Sequence, residues 1–98
     1  DIRIMIRVII ERHIAQTLED AYEQVAKRTL QKAIQAPGFI SGESLKELHN
    51  PNKRVILSTW RSTADWQRWF ASEDRKAMMT ELSPMLETDE KHLILEIA

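Results

Sequence analysis

Hydrophobic residues along this chain recur at every second position, then at every third or fourth, and the two spacings alternate in the order strand, helix, strand, strand, helix, strand. That order restricts the fold more than any single motif. From Arg3 to Arg12, Ile4, Ile6, Val8 and Ile10 share one face of a strand, while Met5, Arg7, Ile9 and Glu11 share the other. Thr17 then offers an N-cap, with Asp20 placed three positions on to support the first turn. Leu18, Tyr22, Val25, Ala26, Thr29, Ala33 and Ile34 make one apolar stripe of the helix that follows, and Pro37-Gly38 end it.

Phe39 to Leu48 and Lys53 to Trp60 read as two strands joined by a turn at His49-Asn50-Pro51-Asn52. Ser62 and Asp65 repeat the capping arrangement, so a second helix is predicted from Thr63, with Trp66, Trp69 and Phe70 on a common face. It pauses near Ser72 and resumes through Ala77, Met78 and Leu82 until Pro84. Lys91 to Ile97 is the last strand, with Leu93, Leu95 and Ile97 alternating against His92, Ile94 and Glu96.

Right-handed crossovers in this order put both connecting helices on the same side of a four-stranded antiparallel sheet, an α+β arrangement that leaves the other face bare. Four strands about 18 Å long at a spacing of about 4.8 Å expose roughly 350 Å² there. A second copy of the chain is the simplest cover. The open face is expected to carry Met5, Ile9, Phe39 and Ile94 mixed with Arg7, Glu11, Glu43 and Glu96, a composition suited to an interface with charged pairs at its rim.

Residues 1–98 suffice for one domain. With a formal net charge of −1 there is no basic footprint for nucleic acid. No apolar run approaches the roughly 20 residues of a membrane-spanning helix, and Arg3 and Arg7 interrupt the apolar start, which reads as a strand and not as a signal peptide. The sequence has no cysteine, which removes disulfides, thiol nucleophiles and thiolate metal sites, and the cytoplasm is the default compartment. His13, His49 and His92 lie far apart without carboxylates at ligand spacing, so no metal site is expected and the three are read as solvent-facing.

The segments Ala36-Pro37-Gly38-Phe39-Ile40-Ser41-Gly42-Glu43-Ser44-Leu45, Ser58-Thr59-Trp60-Arg61-Ser62 and Asp65-Trp66 resemble the antibiotic biosynthesis monooxygenase (ABM) family. The resemblance implies a ferredoxin-like fold that pairs into a dimeric α+β barrel. It also implies a monooxygenase without flavin or metal, acting on an aromatic phenol or quinol in a cleft between helices and sheet. A substrate of that kind supplies its own electrons to oxygen, so the protein has only to position it, assist deprotonation and stabilise an anion. A haem-degrading branch of the family has an Asn at the end of the first strand, a Trp in the second helix and an iron-binding His about ten residues later. Trp69 matches the Trp, but Ile10-Glu11 and Met79 occupy the other two places.

Substrate-pocket candidates are Trp69, Trp66, Tyr22 and Glu11, with no catalytic residue assigned and no cofactor expected. Each has a structural alternative. Trp66, Trp69 and Phe70 are spaced as core packing, the Tyr22 hydroxyl can serve a backbone or water partner, and Glu11 can pair with Arg7 or Arg12 instead of acting as a base at the pocket mouth. Met78, Met79 and Met85 suit a core filler or a pliable pocket wall, and Gly42 inside a strand signals a bulge or a close approach. A non-catalytic dimer that binds a small apolar ligand is the competing class. A polar group converging on an apolar cleft near Trp69 favours catalysis, and a cleft filled by the aromatic residues favours the alternative.

Overall fold

The computed structural model describes residues 4–97. Its elements are β1 (Ile6–His13), α1 (Glu19–Ala33), β2 (Phe39–Glu47), β3 (Asn50–Trp60), α2 (Thr63–Phe70), α3 (Glu73–Leu82), a 3-10 turn (Ser83–Met85) and β4 (Lys91–Glu96). The sheet runs β2-β3-β1-β4 and every neighbouring pair is antiparallel, which is the ferredoxin-like arrangement. Arg3, the expected start of the first strand, lies outside the described residues; the ladder begins at Ile6 and continues one residue past Arg12. No helix among the described residues is long and apolar enough to cross a membrane.

Alternation along β1 decides the core. Ile6, Val8 and Ile10 are buried toward the helices, where each full burial is worth about 2 kcal/mol. They pack with Ala33 of α1, Trp60 of β3, and Trp66 and Trp69 of α2. A second cluster of Ile14, Tyr22, Val25, Met78 and Leu82 holds α1 against α3. Ser72 separates α2 from α3 in the expected place: its hydroxyl donates to the Trp69 carbonyl at 2.6 Å and accepts from the Arg75 N–H at 3.2 Å. Ser62 caps α2 in the same manner, accepting from the Asp65 N–H at 3.2 Å while donating to the Asp65 carboxylate at 2.9 Å. That hydrogen bond, with help from Arg68 and Arg61, overcomes burial and lowers the Asp65 pKa. Gly38 lies against Asp65 at φ +85°, a conformation and a contact that leave no room for a β-carbon.

Several local expectations are corrected. Thr17 does not cap α1; it takes φ +73°, and the helix starts at Glu19, whose carboxylate accepts from the Asn52 side chain at 2.8 Å. Ile34 points outward at 56% exposure, because the chain leaves the helix at Ala33 before the stripe completes another turn. The hairpin turn is shorter than the four residues expected, since Glu47 pairs with Asn50 and the strand absorbs Pro51 and Asn52 in an irregularity.

The open face also differs from its predicted composition. Phe39 pairs with Trp60 and turns toward the helices, because a register shift at Ile40 inserts one residue and reverses the alternation upstream of Ser41. Ile94 and Glu96 pair with Val8 and Ile6 and therefore share the helix side; Leu93 and Leu95 take the open face with Ile9 and Arg7. Leu93 and Leu95 are the more apolar phase of β4, yet the pairing turns them to the open face and sets His92, Ile94 and Glu96 on the helix side. Ile9, Arg7, Glu11 and Glu43 lie on the open face as expected, joined by Leu45, Val55 and Leu57, while Met5 precedes the strand and is exposed.

Candidate functional site

A cavity of about 420 Å³ opens between α1 and the helix side of the sheet. The sheet beneath it is built in cross-strand rows, in which Ile6 and Val8 lie outside the lining. Starting from one end, the facing residues are Phe39, Trp60 and Ile6, then Gly42, Ser58 and Val8, then Ser44, Ile56 and Ile10, and finally Lys46, Arg54 and Arg12. The rows thus pass from aromatic to cationic along the cleft.

The aromatic end is closed by α2. The Phe39 ring meets Trp60 edge-on at 5.3 Å between centroids, Trp66 meets it at 5.8 Å, and Trp69 stacks on it at 6.4 Å with 24° between planes. Gly42 makes space beside them, because a β-carbon there would crowd the Phe39 ring at 3.0 Å. The indole N–H of Trp60 donates to Ser58 Oγ at 3.0 Å. Ser58 is buried and lines the cavity; its oxygen is engaged by Trp60, and its own proton has no acceptor among the described residues.

The other end is an ionic network. Arg12 donates through Nε to Glu90 at 2.8 Å and through Nη1 to the Tyr22 hydroxyl at 3.1 Å. Arg75 pairs with the same Glu90 carboxylate, and His92 bonds it at 2.6 Å. Burial alone would raise the Glu90 pKa; the charges of Arg12 and Arg75, with hydrogen bonds from His92 and Arg12, overcome it and hold the carboxyl at about 2. Burial lowers the pKa of Arg75, and Glu90 opposes that shift. Arg54 donates through Nε to the Pro51 carbonyl at 2.7 Å, so the irregularity at the start of β3 fixes its guanidinium. Its Nη1 reaches Glu23 at 2.9 Å. The Arg12 and Arg54 guanidinium carbons both lie over the Tyr22 ring, at 5.9 and 5.6 Å from its centroid.

Among the sequence candidates, Tyr22, Trp66 and Trp69 meet at this one cavity. Glu11 does not. It follows Ile9 on the open face, where it bonds His13 at 3.0 Å and has Lys53 at 3.9 Å. The hydrogen bond from His13 leads the effects that keep its pKa low. Phe70 turns away from the cleft to stack edge-on against His92 at 5.2 Å, under the Arg75 guanidinium. His92 is therefore not simply solvent-facing; it is clasped between Phe70 and Glu90. Of the methionines, Met78 lines the cavity, whereas Met79, in the place of the haem branch's His, and Met85 pack against the second cluster. No group of three or more His, Asp or Glu is placed to hold a metal ion among the described residues.

Sequence reasoning missed Ser58, Arg12, Arg54, Arg75 and Glu90. For two of them a signal was present: Arg12 continues the alternate positions of Ile6, Val8 and Ile10, and Arg54 continues those of Ile56, Ser58 and Trp60, so each strand carries a charge at the end of its buried face. Glu90 gave none, since it stands in an irregular connection.

The sequence profile described as antibiotic biosynthesis monooxygenase (ABM) matches residues 5–81. The 42.8 kDa protein in the whiE locus of Streptomyces coelicolor is 26% identical over 73 residues, which is 74% of this chain and 17% of that protein. The chain thus spans less than a fifth of the length of this curated relative. Among solved structures, a conserved protein from Methanosarcina mazei Go1 superposes with a TM-score of 0.90 at 19% identity, covering 95% of this chain and 92% of that one. A protein described as an antibiotic biosynthesis monooxygenase from Nitrosomonas europaea gives 0.91 at 12% identity, covering 98% and 92%. SnoaB, a cofactor-independent oxygenase from Streptomyces nogalater, gives 0.87 at 18% identity, covering 97% and 94%. The chain belongs to the antibiotic biosynthesis monooxygenase family.

Proposed function

We propose that this family member is a monooxygenase that needs no cofactor and oxidises a flat phenol or quinol in the cleft under α1. The observation that carries the reading is the Ser58 hydroxyl, an uncommitted donor in the aromatic half of the cavity, between Trp60 and a surplus of arginine charge. A ring lying against Trp60 and Trp69 presents its hydroxyl oxygen to Ser58. As the phenol proton leaves to water at the open mouth, Ser58 stabilises the phenolate, and the dry aromatic wall strengthens that interaction. The electron-rich ring then reduces dioxygen and forms a carbon–oxygen bond. The resulting peroxide loses water, leaving one oxygen atom on the ring as a quinone carbonyl. The likeness to SnoaB supports this through the fold, and the family supports it through kinship.

Oxygen uptake by the purified protein with a panel of phenols and hydroquinones tests the reading. Uptake matched by quinone formation is expected, and Ser58→Ala is expected to lower the rate about 100- to 1000-fold, as loss of one oxyanion donor does. No uptake with any member of the panel would overturn it. One observation favours the second reading, a ligand-binding protein without chemistry: the carboxylate behind the cleft, Glu90, is committed to two arginines and is a poor base. Binding without oxygen consumption would select it.

The functional unit we propose is a homodimer formed through the open face. Ile9, Leu57 and Leu93 form one apolar row there, with Leu45, Val55 and Leu95 beside it and Arg7, Glu11 and Lys53 around it. Leu93 and Leu95, at 53% and 40% exposure, make that face costly to leave in water. Sedimentation is expected to give a dimer at low micromolar concentration and a monomer for Leu93→Glu; a monomeric parent protein would refute the pairing.

A further inference from the structure

Resting on the oxygenase reading above, we propose that the tryptophans form a one-electron relay connecting the cleft to a second groove on the outside of the molecule. That groove, of about 370 Å³, lies just beyond the end of α1 at the junction of α2 and α3, with Gln35, Pro37 and Ser72 in its lining. Among the described residues, Trp69 alone lines both spaces.

The indoles touch one another and differ in their access to water. Trp69 stacks on Trp60 at 6.4 Å and Trp66 meets it at 5.8 Å, both within the range of direct aromatic contact. Trp60 is 1% exposed, and its N–H is held by Ser58, a hydroxyl that is no base. Trp69 is 8% exposed, and its N–H has no acceptor among the described residues; since no buried side-chain nitrogen there lacks a partner, this one is within reach of water. An indole that gives up an electron becomes a stronger acid at nitrogen. Trp60 has nowhere to send that proton, whereas Trp69 can release it to solvent, so a positive charge entering at Trp60 moves outward and rests on Trp69. The chain has no cysteine and Tyr22 belongs to the other cluster, which leaves the indoles as the most readily oxidised side chains at this end.

The oxygenase chemistry supplies a use for such a path. Electron transfer from a phenolate to dioxygen gives a phenoxyl radical and superoxide, and superoxide that escapes before the carbon–oxygen bond forms strands the radical in the cleft. One electron from Trp60 returns the phenoxyl to phenolate, and Trp69 refills Trp60 while releasing its proton to water. Trp69 then recovers an electron and a proton from an enediol or thiol reductant at the outer groove. In sum the phenoxyl gains the electron that the reductant loses, and the reductant's proton ends in water.

The absence of cysteine makes the test direct. Ser44→Cys, at an exposed position on the cleft lining, takes a single maleimide-linked ruthenium photo-oxidant on the full chain. A flash in the presence of an irreversible cobalt(III) quencher injects one positive charge without dioxygen or substrate, so the result does not depend on turnover. Transient absorption is expected to show a deprotonated indole radical that ascorbate extinguishes. Trp69→Phe is expected to lose the ascorbate-sensitive phase, and Trp69→Tyr, close to Phe in size but oxidisable, to restore it; a packing role alone would not separate the two. Trp66→Phe, off the path, should keep the phase. Absence of an indole radical in the parent, an unchanged ascorbate response in Trp69→Phe, or its loss in Trp66→Phe instead would each overturn the relay and leave the oxygenase reading intact. The full pattern in a protein that consumes no oxygen would support the electron path and remove the oxygenase alone.

Discussion

The two ends of the cleft are made by the same three strands and held by different physics. At the Phe39–Trp60–Ile6 end, shape decides: rings meet edge-on or stacked, and a glycine makes space for one of them. At the Lys46–Arg54–Arg12 end, charge balance decides: one buried carboxylate joins two arginines and a histidine. The first end should respond to changes of volume and ignore pH, while the second should do the reverse. One sheet can therefore meet a demand of shape at one end and of charge at the other without either compromising its neighbour.

Four substitutions test that division, in order of falling effect. Trp60→Ala removes a ring that is 1% exposed and the surface on which three other rings rest, and is expected to cost about 4 kcal/mol in denaturant unfolding. Its acid sensitivity should stay that of the parent; a lost acid response would mean the two ends are not separate.

Glu90→Gln leaves two buried arginines without their anion and is expected to cost about 3 kcal/mol at neutral pH. The sign of the pH effect follows from the depressed folded-state pKa, about 2 against an ordinary 4.5. The carboxylate contributes fully above the ordinary value, and that contribution fades as the pH falls toward 2, for a loss of about 3 kcal/mol across the interval. Unfolding followed from pH 5 to pH 2 should show this decline in the parent and a much flatter profile in Glu90→Gln; parallel profiles would refute the assignment.

Gly38→Ala places a side chain at φ +85° against Asp65 and is expected to cost about 2 kcal/mol, read as a lower melting temperature with the cationic end's acid response unchanged. Thr17→Gly should act in the opposite direction. It relieves a β-branched residue at φ +73° near the start of α1 and is expected to stabilise by about 0.5 kcal/mol; a destabilised variant would show that Thr17 makes a contact worth more than its strain.

Much of this architecture was legible from spacing. The order of elements, the break at Ser72, the cap at Ser62 and the buried phase of β1 follow from local pattern, and each is found. What escaped depends on pairing across strands. The phase of Phe39 hangs on one inserted residue, and the phase of β4 on the pairing that brings Ile94, between His92 and Glu96, opposite Val8; neither is written in its own segment. The candidate site divides similarly. Trp66, Trp69 and Tyr22 line the cavity because helical spacing puts them on inward stripes, whereas Glu11 stays on the open-face phase of β1, since Ile10 and Arg12 take the inward positions, and cannot serve at the pocket mouth. Glu90 reaches Arg12 across 78 residues of sequence, a distance over which no local rule applies.

Ile40 illustrates how tolerance to replacement and tolerance to changes in length can part company. At 49% exposure, it would pass as a site where almost any amino acid is acceptable. Yet it is the extra residue that lets Phe39 and Ser41 point to opposite sides of the sheet. Relatives of this chain should vary freely in what they place there, but one that drops the position altogether must rebuild the aromatic wall from another source.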